Sequence, residues 1–180
     1  MKRSALSLDV EPMRMYDEYV PVDPEALRLV MRTWATGVTV VSTELEGVRH
    51  GMTVSSFTSV SLDPPLVLVS LERGTQTHRL LEQSGHFAVT VLGEGQQSIS
   101  DRFAGRQTDG EERFAGLETF TMVSGAPLIC GGLSYFDCRV ISTYPAGTHT
   151  VFMGEVLAVQ GGDESAAPLL YHDRDYHQLC

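Results

Sequence analysis

The chain has 180 residues, long enough for one domain that buries roughly 70% of its unfolded surface. Hydrophobic residues make up 42% and charged residues 20%, an ordinary globular balance. With 13 basic against 23 acidic residues the net charge is −10, and no basic run is present, which argues against a nucleic-acid partner.

Residues 1–22 lack periodicity and read as a mobile or partner-docking arm ahead of one domain, 23–180. The arm has no apolar core of signal-peptide type, and the longest unbroken apolar stretch, Leu66 to Val69, is too short to span a bilayer. Cys130, Cys138 and Cys180 lack metal or disulfide spacing. A reduced, cytoplasmic protein without membrane or metal is expected.

Asp23-Pro24 gives a helix cap followed by proline at the first helical position. Leu27, Val30, Met31 and Trp34 then form one apolar stripe over about three turns, stopped at Gly37. The pattern next turns to strands: Val38–Thr43, a turn at Glu44–Gly47, Val48–Val54, Phe57–Leu62 and Leu66–Leu71. Asp63-Pro64-Pro65 makes a tight corner, because a proline pair cannot donate to a ladder. Thr75 caps a helix running to Ser84, with Gly85 beyond its end.

His86–Leu92 reads as a strand, Glu94–Ala104 as a helix stopped by Gly105, and 105–116 as an exposed loop. Strands follow at Glu118–Val123, Leu133–Thr143 and His149–Gln160. In the second of these, Leu133, Tyr135, Asp137, Arg139 and Ile141 share a face opposite Ser134, Phe136, Cys138 and Val140. Short strands with hairpin-length links predict a mainly β fold, an antiparallel barrel with a few peripheral helices.

Familiar catalytic signatures are missing: no GxSxG, no HExxH, no Walker loop, and Gly93-Glu94-Gly95 lacks the third glycine of a dinucleotide fingerprint. His172 and His177 lack a third partner for a metal and read as surface residues. The unusual stretch is 51–71, GMTVSSFTSVSLDPPLVLVSL, where hydroxyls crowd an apolar strand pattern. By itself this reads as an edge strand with one wet face.

The chain resembles the flavin reductase-like family, the short reductases that serve two-component monooxygenases. The resemblance rests on blocks in register: ATGVTVVST (35–43), the 51–71 stretch, FAVTVL (87–92), SDRFAG (100–105), GAPLI (125–129), THTVFMGEV (148–156) and PLLYHDRDY (168–176). It implies a homodimeric split β-barrel that binds FMN or FAD and takes a hydride from NADH or NADPH. It also implies that reduced flavin diffuses to a partner monooxygenase.

Residue by residue, the resemblance places Thr53, Val54, Ser55 and Ser56 along the isoalloxazine. Ser70, Leu71, Thr75, Gln76 and Thr77 fall at the ribityl phosphate, and Arg102 and Phe103 close to the flavin or nicotinamide. His149 falls on the nicotinamide side as the catalytic candidate. His172, Asp173 and the long arm depart from the family pattern, which leaves the C-terminal contacts open.

The residue types suit that chemistry on their own terms. Short hydroxyls and a strand edge match the alternating acceptors and donor of a flavin ring without adding charge. Hydroxyls and free N–H groups at a helix N-terminus, with Arg73 nearby, suit a phosphate. Hydride transfer between two cofactors needs no protein acid or base. Two other readings stay open: a non-catalytic flavin-binding sensor or carrier, and a split-barrel oxidase of another substrate, such as a pyridoxine phosphate.

Overall fold

In the computed structural model, residues 20–106, 112–162 and 165–179 are described. The expected arm at 1–22 lies outside them up to residue 19. Helix α1 (Pro24–Met31) starts as its cap dictates, the Asp23 carboxylate accepting from Glu25 N–H. It ends well before Gly37, and its apolar stripe is not buried: Leu27, Val30, Met31 and Trp34 are all more than half exposed.

Among the described residues the chain forms twelve strands, of which β1, β8, β11 and β12 are not expected from the sequence: β1 (Thr36–Gly37), β2 (Thr39–Leu45), β3 (Val48–Val54), β4 (Thr58–Leu62), β5 (Pro65–Glu72), β6 (His86–Val91), β7 (Thr119–Phe120), β8 (Leu128–Ile129), β9 (Ser134–Ala146), β10 (His149–Gly161), β11 (Leu170–His172) and β12 (Asp175–His177). Helix α2 (Gln76–Ser84) sits between β5 and β6. The expected helix at 94–104 divides into a 3-10 turn, Glu94–Gln96, and α3 (Gln97–Phe103). The expected strand at 118–123 is reduced to β7, because the chain beyond is drawn onto the sheet by Ser124 N–H donating to buried Asp137.

Seven strands form one antiparallel sheet in the order β3-β2-β6-β9-β10-β5-β4, with β3 and β4 at its free edges. The sheet is therefore a split barrel and not a closed one. Its inner face collects Val41, Val69, Leu71, Phe87, Val89, Cys138 and Phe152. Leu81 of α2 caps this core. Gly154 belongs to it by necessity, since a Cβ there would lie 2.5 Å from Phe87.

A second apolar layer lies on the outer face. Val38, Val40, Leu92, Phe103, Phe114, Ile129 and Leu169 pack there with Tyr171 and Tyr176. β11 joins this layer by pairing with β1 and with β12. The β3–β4 corner, residues 55–57, follows Val54 of the inner core, against which Phe57 also packs.

Candidate functional site

The corner after β3 sends alternate residues to different neighbours, as a strand end must. Thr53 donates its hydroxyl proton to Ser100 O at 2.6 Å, tying β3 to α3. Val54 turns into the core at 7% exposure, while Ser55 is exposed. Ser56 turns to the opposite edge: its hydroxyl donates to Ser70 O (2.9 Å) and accepts from Ser70 N–H (3.0 Å). One side chain thus takes the place of a ladder partner where β4 has not yet begun.

Thr53, Val54 and Ser55 form one wall of a cleft of about 180 Å³. Its other lining includes Ser100, Arg106, Tyr171 and Tyr176. Tyr171 and Tyr176 meet edge to face, their ring centres 5.5 Å apart. The Tyr176 hydroxyl bonds to Ser100 Oγ (2.8 Å) and Asp101 Oδ1 (2.9 Å). Burial, together with the Asp101 carboxylate, holds this phenol above its ordinary value. Arg106 donates to the Tyr171 hydroxyl and pairs with Asp101 at 3.2 Å. The rim is therefore fixed by hydrogen bonds, and the cleft wall carries short neutral hydroxyls.

On the other side of the corner, Ser70 stands opposite Val151, and Glu72 stands opposite His149. His149, Val151 and Met153 share one half-buried face of β10, while Thr150, Phe152 and Gly154 point into the core. His149 Nδ1 lies 2.9 Å from the Thr148 hydroxyl. Ser56, Ser70 and His149 thus belong to one sheet surface, distinct from the cleft wall made by Thr53 and Ser55.

Thr75 caps α2, accepting from His78 N–H (3.3 Å) and donating to Glu72 O (2.8 Å). Gln76 is exposed in the first turn. Thr77 is fully buried, and its hydroxyl meets His50 Nδ1 at 2.8 Å. Burial, then the nearby Arg113 and Arg79 cations, lowers the His50 pKa from 6.5 to about 4, so this imidazole is neutral at neutral pH.

Two further candidate residues, Leu71 and Phe103, face the interior. Leu71 belongs to the inner core. Phe103 is fully buried edge-on against Phe114 (4.9 Å between centres), touching the space that a side chain at Gly51 would need. Arg102 donates to Ala115 O at 2.9 Å. Sequence reasoning passes over Ser100, Arg106, Tyr171 and Tyr176, which complete the cleft. The tyrosines sit in the 168–176 block, but no turn signal there marks a hairpin.

Residues 31–180 match the family model described as the flavin reductase like domain. NADH-dependent flavin reductase StyB of Pseudomonas fluorescens is 40% identical over 163 residues, 89% of this chain and 93% of that protein. The flavin-dependent monooxygenase reductase subunit HsaB of Mycobacterium tuberculosis is 37% identical, covering 86% of this chain and 82% of its own. Among solved structures, the Streptomyces globisporus NADH:FAD oxidoreductase SgcE6, in complex with NAD and FAD fragments, superposes with a TM-score of 0.80 at 34% identity, over 90% of this chain and 98% of that one. This chain belongs to the flavin reductase-like family.

Proposed function

We propose that this protein is an NADH- or NADPH-dependent flavin reductase that reduces FMN or FAD and releases it to a separate flavin-dependent monooxygenase. The observation that carries the reading is the β3–β4 corner. It presents neutral hydroxyls and a strand end to a cleft of about 180 Å³, with Tyr171 and Tyr176 opposite. StyB, named NADH-dependent, and HsaB, named a monooxygenase reductase subunit, support it by their likeness.

The residues fit a flavin. Thr53, Val54 and Ser55 line the ring from the cleft, and Ser56 fixes the corner that carries them by its two hydrogen bonds to Ser70. The first-turn N–H groups of α2, capped by Thr75 and continued by Gln76 and Thr77, suit the phosphate. Thr77 contributes through its main chain, because its hydroxyl is engaged by His50. Leu71 and Phe103 act from the core by packing, and Arg102 by holding the 112–117 segment.

When bound, flavin and nicotinamide supply the hydride chemistry themselves. The chain's residues orient the rings and exclude water. His149 on the open face of β10 is the group assigned to the nicotinamide, with Thr148 setting its ring. The active species is a homodimer, for which the exposed stripe of α1 is the supporting observation. The working compartment is the cytoplasm; none of the described helices is long and apolar enough to cross a membrane.

The test is NADH and NADPH oxidation with FMN and with FAD added in excess. Continued consumption with one pairing supports the reading. Bound flavin without consumption points to a carrier or sensor, and neither result points to an oxidase of another substrate.

A further inference from the structure

In a chain of net charge −10, arginines are expected to find carboxylates, and five do: Arg28, Arg32, Arg49, Arg106 and Arg139. Arg79, Arg102 and Arg113 instead donate to main-chain carbonyls. Arg73 is different. Its one side-chain hydrogen bond among the described residues runs from Nε to the Thr150 hydroxyl at 3.2 Å, and no carboxylate lies within 4.0 Å. Among the described residues, its terminal nitrogens have no hydrogen-bond partner and its charge has no carboxylate partner.

The anchor is unusual for an exposed arginine. Thr150 is 6% exposed and points into the core from β10. Its oxygen also lies 2.9 Å from Nε2 of His78, another 6% exposed group, whose ring packs edge-on against Phe152 at 5.4 Å. The Arg73 main chain is tied to the same strand entry, N–H donating to Thr148 O at 3.0 Å. Arg73 directly precedes Gly74 and the α2 cap, Thr75. A buried hydrogen-bonded pair that carries no carboxylate thus orients a cation beside a helix N-terminus.

We propose that Thr150 and His78 are positioning residues that hold the Arg73 guanidinium ready for the flavin phosphate, so that this chain prefers phosphorylated flavins over riboflavin. The inference rests on the reading above that the phosphate lies at α2. Fixing Nε beforehand removes side-chain freedom that binding would otherwise have to remove, and leaves the forked terminal nitrogens to face the anion.

The experiment compares FMN with riboflavin by fluorescence titration in wild type, Thr150→Val, Thr150→Ser and Arg73→Lys. Wild type binds FMN more tightly than riboflavin. Thr150→Val lowers that preference about tenfold, the worth of one charge-assisted hydrogen bond, with riboflavin affinity unchanged. Thr150→Ser keeps the hydroxyl and restores it. Arg73→Lys keeps the charge but lacks the Nε donor, and loses the preference too; it carries the test if Thr150→Val does not fold. A folded Thr150→Val or Arg73→Lys protein with the wild-type preference overturns the positioning role alone. No preference in wild type overturns the phosphate site itself, and this inference with it.

Discussion

His149 is defined by alternation: it stands on the half-buried face of β10 with Val151 and Met153, opposite Glu72 of β5. Replacing it with alanine should leave the cleft wall and α2 untouched. The expected His149→Ala phenotype is slower flavin reduction or weaker NAD(P)H binding, with flavin affinity within about twofold of wild type, as for a site with no shared partners. Stopped-flow reduction of pre-bound flavin separates the two steps; an unchanged hydride-transfer rate and NADH dependence would make His149 a structural residue.

His50 gives the pH dependence. Its folded pKa of about 4 lies below the ordinary 6.5, so between those values the unfolded chain binds more protons. Stability from this group is fully present above pH 6.5 and declines as pH falls toward 4. Denaturant unfolding of wild type and His50→Gln between pH 7.5 and 4.5 should show a shallower decline in the variant; parallel curves would contradict the assignment. The hydroxyl-rich run 53–61 is legible in the sequence, but its division between two surfaces is not. That division depends on Ser56 pairing with Ser70 and Thr53 with Ser100, contacts between residues distant in sequence.

At the scale of elements, β3 and α2 are legible because their ends are marked by turn and cap residues: Gly47, Thr75 and Gly85. The C-terminal hairpin is not. Its turn places Asp173 (φ 51°) and Arg174 (φ 68°) in the left-handed region, where Asn-Gly is the usual signal. What holds it is a contact from the residue that caps the end of α1: Asp173 accepts from Arg32 Nε at 2.6 Å, and Asp173 N–H donates to Arg32 O at 3.0 Å. Because β11 and β12 carry Tyr171 and Tyr176, this strained turn positions the cleft's far wall. Arg174→Gly should raise stability by about 1 kcal/mol by relieving the left-handed strain. A lower melting temperature would show that the Arg174 side chain makes a compensating contact.

For the whole molecule, two features stay unpaired among the described residues: the sheet edges β3 and β4, and the apolar stripe of α1. Leu27, Val30, Met31 and Trp34 obey helical spacing, and that spacing marks an apolar face that stays more than half exposed among the described residues. Large apolar side chains left together on a surface mark an interface. Sedimentation at micromolar concentration should give a dimer, and a species of 19.7 kDa would exclude it.

The claim that a second molecule of flavin can replace the first after reduction separates a reductase from every flavin carrier. Anaerobic mixing of the protein with excess FMN or FAD and NADH tests it directly, followed by loss of the oxidised flavin's absorbance. Bleaching is expected to continue past one flavin per protein until NADH or flavin runs out. Bleaching that stops at one equivalent, or never begins, would contradict it.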